Sequence, residues 1–163
     1  MNLRRSIAVA ALVVAVPVLS SCGVSFGAPT DKVYNAAAGV DDRSGSVDVL
    51  NALIVSGQDG TGTVVAGLVN KNQNTADHLT NIGPGDPAKE DVTVAGPAST
   101  TIPAAGMVSL ADKGAYSVTG KRVVAGNFVK LTFTFEGSKS VTVDVPVVLA
   151  SNPDYANVPL PKG

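Results

Sequence analysis

Few side chains in this chain can do covalent, acid–base or soft-metal chemistry. There is one cysteine, Cys22, one histidine, His78, and two methionines, of which only Met107 lies beyond the first residue. A thiol can be acylated, an imidazole can act as a base, and a thioether suits a soft metal. Their settings differ. Cys22 follows Leu19, Ser20 and Ser21, an aliphatic residue and two small ones. His78 follows Asp77, but sequence adjacency does not turn a carboxylate toward an imidazole. The one G-x-S-x-G run, GVSFG (23–27), lies in a stretch without sustained periodicity rather than at a strand-to-helix turn, and the chain has no phosphate-binding glycine loop and no dinucleotide fingerprint. His78 therefore reads as a loop histidine facing water, and Met107, at the start of an apolar run, as a packing residue. The acidic stretch DDRSGSVD (41–48) lacks the alternating ligands, central glycine and distal glutamate of a calcium loop. These residues predict no catalytic site, no resident metal and no cofactor; the chain reads as a non-enzyme.

The setting of Cys22 has a further meaning. Arg4 and Arg5 give a basic start, and Ile7 to Leu19 carries no charge. That is the layout of a secretory signal. The uncharged run is short of the roughly 20 apolar residues a spanning helix needs, and Pro17 interrupts it. Leu19-Ser20-Ser21-Cys22 resembles the bacterial lipobox, in which the cysteine thiol takes up a diacylglyceryl group and cleavage makes the cysteine the new N-terminus. The resemblance implies a signal peptide over 1–21, lipid attachment at Cys22, palmitate-type acylation, and a location on the extracytoplasmic face of the cell membrane. One acyl chain gives marginal binding and two give stable anchoring. The Arg pair in LRRSIAVA leaves both the general secretory and the twin-arginine route open.

Removing residues 1–21 from the 163 leaves 142, enough for one domain with its own core. Without Arg4 and Arg5 the formal charge moves from −1 to about −3. No basic patch follows, so nucleic acid is excluded as a partner. With a single cysteine there is no internal disulfide, and packing alone must hold the domain. There is no tryptophan, and valine, threonine, glycine and alanine abound. Valine and threonine favour a pleated, half-buried surface. The same composition suits a GC-rich bacterium such as an actinobacterium.

Residues 22–45 lack sustained periodicity and read as a flexible tether, whose reach is on the order of 25 Å. The domain is expected over 46–150, followed by a loose, proline-rich tail at 151–163. Strands are expected over 46–55 and 63–70, antiparallel across the glycine-rich turn 56–62. A polar connection (71–80) re-enters at Leu79, a broken loop covers 82–90, and short strands lie within 91–96, 100–110 and 115–120. The clearest pair is last. Val129, Leu131, Phe133 and Phe135 alternate with Lys130, Thr132 and Thr134. Val141, Val143, Val145 and Val147 alternate with Thr142, Asp144 and Pro146. Period two puts one set inward and the other outward, and 136–139 is their hairpin turn. Pro146 suggests an edge or a strand end. Many short strands at this spacing imply two packed antiparallel sheets.

The stretch VVAGLVNKNQNTADHLTNI (64–82), then IPAAG (102–106), KGAYSVTG (113–120), LTFTF (131–135) and VTVDVPVV (141–148), resembles the periplasmic copper chaperone family PCu(A)C and actinobacterial lipoproteins related to it. The order of these motifs carries the likeness. It implies a cupredoxin-like or immunoglobulin-like Greek-key β-sandwich. The family's copper site uses two histidines and two methionines. By resemblance the first histidine belongs near DVTVAG (91–96), the first methionine shortly after it, and a final His-x-Met pair just past Tyr116. In this chain 91–96 has no histidine, no methionine lies between 91 and Met107, and Ser117 and Thr119 stand in the places of the pair. The expectation is a membrane-anchored, non-catalytic envelope lipoprotein. It would touch membrane lipid through acylated Cys22 and bind an envelope protein, glycan or lipid. The alternative is a copper chaperone or metal-handling accessory protein.

Overall fold

The computed structural model describes residues 38–161 except 90, 113 and 114. The expected signal peptide, with Leu19, Ser20 and Ser21, the expected lipidation position Cys22 and most of the expected tether lie outside the described residues. Within them the chain forms ten strands: β1 (Val40–Asp42), β2 (Val47–Ser56), β3 (Thr61–Asn70), β4 (Asp77–Pro84), β5 (Val92–Ala95), β6 (Thr100–Ile102), β7 (Met107–Ser109), β8 (Ser117–Gly120), β9 (Phe128–Phe135) and β10 (Val141–Leu149). They make one curled sheet in the order β5-β8-β3-β2-β10-β9-β4-β6, with β1 added to β2 and β7 added to β3. This is an all-β, cupredoxin- or immunoglobulin-like architecture.

The core follows from alternation. Val129, Leu131, Phe133 and Phe135 of β9 and Val141, Val143, Val145 and Val147 of β10 are buried. They pack with Val47, Val49, Ile54, Val64 and Leu68 from β2 and β3. Lys130 stands opposite Asp144 and Thr132 opposite Thr142 on the outer face. There the ammonium and carboxylate approach to 3.5 Å, and the two hydroxyls are hydrogen-bonded at 2.8 Å.

Pro146 is neither at an edge nor at a strand end. From Val141 to Pro146, β10 pairs antiparallel with β9; from Val147 to Leu149 it pairs parallel with β2. Pro146 occupies the crossing point, where one ladder gives way to the other and a missing backbone donor is tolerated. The two halves of the sheet are thus joined by one strand, and one of the pairings is parallel rather than antiparallel.

Order begins earlier than residue 46. Residues 40–42, expected in the tether, pair with β2 as β1. A bulge in β2 makes room for them: the register with β3 shifts between Leu50 and Leu53, and Asn51 has φ 48. Asparagine tolerates that left-handed conformation better than most residues. Two bonds stitch the bulge. Asn51 N donates to Asp41 Oδ1 at 2.7 Å, and Gly39 N donates to Asn51 Oδ1 at 2.8 Å. The polar letters that read as solvated linker are spent on this stitch.

Two loop assignments also change. β4 starts at Asp77, inside the expected polar connection, and runs to Pro84, inside the expected loop. The tail is not loose through 151–161. Asn152 caps a 3-10 turn over Pro153–Tyr155, and Thr63 Oγ1 donates to the Pro159 carbonyl. Leu53 and Val55 alternate with core-facing Ile54, yet are fully buried. Val55 is the cross-strand partner of Thr63, so the returning tail covers this outer face.

Candidate functional site

Two places gather polar side chains: the β5–β8 ribbon with the cavity beside it, and the start of β4. In the ribbon, Val92 and Val118 are buried, while Thr93, Ala95 and Thr119 face outward and Ser117 is half-buried. Antiparallel register sets Thr93 opposite Thr119 and Ala95 opposite Ser117. Ser117 Oγ donates to the Ala95 carbonyl at 3.4 Å. The two segments where the resemblance expects metal ligands are therefore direct neighbours, on one face of two paired strands. What that face offers is two threonines, a serine and an alanine. Hydroxyl oxygens are hard donors and a poor match for Cu(I), which favours thioether and imidazole.

Tyr116 anchors the ribbon from beneath. Its ring is buried, and its hydroxyl lies 2.7 Å from Thr100 Oγ1. A Cβ at Gly96 would meet the ring at 2.3 Å, so only glycine allows the chain past it. A cavity of about 270 Å³ opens here between β4 and β5, lined by Thr80, Asn81, Ile82, Val94 and Tyr116 among others. Its walls supply hydroxyls, an amide and apolar surface, which can hydrogen-bond or pack but cannot donate electrons to a soft ion.

At the start of β4, Asp77 is buried. Its carboxylate accepts from Gly137 N at 2.8 Å, from His78 N at 2.7 Å and from Ser138 Oγ. Burial pushes its pKa up, but the bonds from Ser138, Gly137 and His78 outweigh burial and hold it below the ordinary carboxylate value. The carboxylate thus clamps the β9–β10 turn to β4. It does not orient the His78 ring, whose Nδ1 lies 3.2 Å from Thr101 Oγ1 on β6. A Ser–His–Asp relay is not assembled at this point. His78 is half-buried within a strand, not a loop residue facing water.

Met107 does not pack in the core. It opens β7 opposite Val69 and is 66% exposed. His78 and Met107 lie on separate strands, the first paired into β6 and the second into β3. Among the described residues no three His, Cys, Asp or Glu side chains are grouped to hold a metal ion. The Asp77 clamp and the Tyr116–Thr100 contact were not legible in the sequence, because each joins residues that only the strand register brings together. The lipobox residues lie outside the described residues.

No family model matches the chain, and no curated protein matches it. Solved structures do. The apo PCuAC domain from PmoF1 matches with a TM-score of 0.55 and 20% identity, over 68% of this chain and 99% of that one. The copper-bound PCuAC domain from PmoF2 gives 0.52 and 17%, over 68% and 98%. The apo PmoF2 domain gives 0.51 and 17%, over 65% and 92%. At these identities the likeness establishes the fold: the domain is built as PCuAC domains are.

Proposed function

We propose that this chain is a non-catalytic lipoprotein of the bacterial cell envelope whose PCuAC-fold domain serves as a metal-handling accessory. Acylated Cys22 holds it to membrane lipid on the extracytoplasmic face. The observation that carries the metal connection is the fold shared with PCuAC domains, one of them copper-bound. The observation that shapes it is the ribbon, where Thr93, Ala95, Ser117 and Thr119 stand. Their chemistry argues for docking or regulation within copper handling rather than for carriage of Cu(I) by this chain alone. A second reading, an envelope module that binds a protein, glycan or lipid unconnected with copper, is favoured by the same absence of soft donors on the ribbon.

Titration of the soluble domain with Cu(I) against a competing chelator separates these readings from ion carriage. We expect no stoichiometric retention and almost no rise in melting temperature, since a ligand stabilises only in proportion to its binding to the native state. One tightly held Cu(I), lost on His78→Ala or Met107→Ala, would make the chain a carrier itself. A deletion strain with unchanged copper tolerance and unchanged loading of copper enzymes would favour the module unconnected with copper. For the anchor, Cys22→Ala should release the protein from the membrane or leave unprocessed precursor. Membrane retention at mature size would refute lipid attachment there.

A further inference from the structure

The domain has two unlike ends. One carries the turn 56–60, the loop 121–127 and the tail, and the other the polar turns 71–76 and 136–140. Four large apolar side chains are well exposed among the described residues: Met107, Phe128, Leu149 and Leu160. Three of the four are at the first end. Phe128, 56% exposed, stands opposite Pro146. Leu149, three residues further along β10, stands opposite Ser56 of β2. Leu160 lies against Gly57, where a Cβ would be 3.3 Å from its Cδ1. Strand register places all three at this end, Phe128 with half-buried Pro146 and Val148 on one face of β9 and β10 and Leu149, by alternation, on the other, so that together with Leu160 they edge an apolar rim.

The chain also enters at this end. β1 runs antiparallel to β2, with Val40 beside Ala52 and Asp42 beside Val49. Residues 38 and 39 therefore lead into β1 from the side of Ser56, which is the side of the rim. Fifteen residues, 23–37, separate the lipidation position from residue 38. Even fully extended they span at most about 55 Å, so an acylated Cys22 would keep the domain within reach of the bilayer. Charges at this end are of both signs: Lys89 pairs with Asp86 at 3.1 Å and Lys121 lies 3.8 Å from Asp91, with Asp59, Arg122 and Asp154 close by in the chain.

We infer that this apolar rim rests on the lipid interface, so that the domain is oriented on the membrane rather than swinging free on its anchor. The inference depends on the proposed acylation of Cys22. Apolar side chains beside an acyl anchor add membrane affinity through buried apolar area. Because the rim is apolar and the charges around it are of both signs, the contact should form on neutral lipid and resist salt, unlike an electrostatic one. The exposed polar turns at the far end, with Asn74 and Lys139, would then face away from the bilayer.

The test uses the full-length lipidated chain in phosphatidylcholine vesicles carrying a nitroxide on the acyl chain. A fluorophore is placed at Ala125→Cys beside the rim, or at Lys139→Cys at the opposite end. Mass spectrometry of the N-terminal peptide checks acylation independently. The expected result is strong quenching at 125, none at 139, and no change between low and high salt. Phe128→Ser with Leu149→Ser should abolish quenching at 125, with circular dichroism confirming the fold. Acylated protein with equal quenching at both sites, or with none at 125, overturns the docking and leaves the anchor standing. Shielding of 125 from water without lipid quenching assigns the rim to a protein or second copy and also overturns it. An unmodified Cys22 in vesicle-free protein overturns the anchoring reading, and the docking with it.

Discussion

Asp77 shows how much one side chain does for this domain. Its carboxylate is buried and takes three hydrogen bonds that tie β4 to the β9–β10 turn. Hydrogen bonds to a charged group contribute more than neutral ones, so Asp77→Asn should lower unfolding stability by about 1.5–3 kcal/mol at neutral pH. The sign with pH follows from the direction of the shift. A carboxyl whose folded pKa lies below its unfolded value adds stability above the unfolded pKa and loses it as pH falls through the folded one. The gap between wild type and Asp77→Asn should therefore narrow on acidification below about pH 4. Denaturant titrations at several pH values measure this; a gap independent of pH would show that the charge is not what stabilises the clamp. In the sequence, Asp77 stood only as the neighbour of His78, an adjacency that assigns neither a role. Its real partners lie 60 and 61 residues away, and no local pattern announces them.

At the scale of strands, the β9–β10 hairpin was the most legible part of the fold, because one buried and one solvated face impose an unbroken period of two. Phe133→Ala should cost about 3–5 kcal/mol, and Lys130→Ala on the outer face less than about 0.5 kcal/mol. Equal losses in thermal unfolding would contradict the burial difference. β1 was illegible for the opposite reason: its side chains are only half-buried, and Asp41 is committed to the backbone of Asn51. The β5–β8 ribbon gives a sharper test of the metal argument. Ser117→His with Thr119→Met supplies two soft donors, and Ala95→His opposite residue 117 with Thr93→Met opposite residue 119 supplies two more. Cu(I) affinity should rise weakly in the double variant and steeply in the quadruple one, read by chelator competition. A quadruple variant no better than the double would mean that the ribbon face is not where the fold can enclose the ion.

For the molecule as a whole, the all-β class, the single core and the resemblance to PCu(A)C were legible from composition, spacing and motif order, and the fold neighbours agree with them. The closing of the sheet was not. A parallel pairing of β10 with β2 joins residues more than ninety positions apart, and alternation within either strand carries no record of its partner. The covered outer face of β2 escaped notice likewise, since a buried Val55 depends on a tail whose prolines suggest only irregular chain.

The passage of β10 between its two ladders bears on the order of events at birth. The strand that completes both halves of the sheet is the tenth of ten, whereas its partner β2 is the second. A polypeptide delivered with its N-terminus first leaves β2 waiting for a neighbour until nearly the entire domain has emerged. Such distant pairing makes assembly slow, on the order of milliseconds to seconds for all-β chains. The unfinished chain stays open and tightens in one late step once Val147 to Leu149 arrive. A fold closed by its last strand thus takes shape only when nearly all of its chain is present.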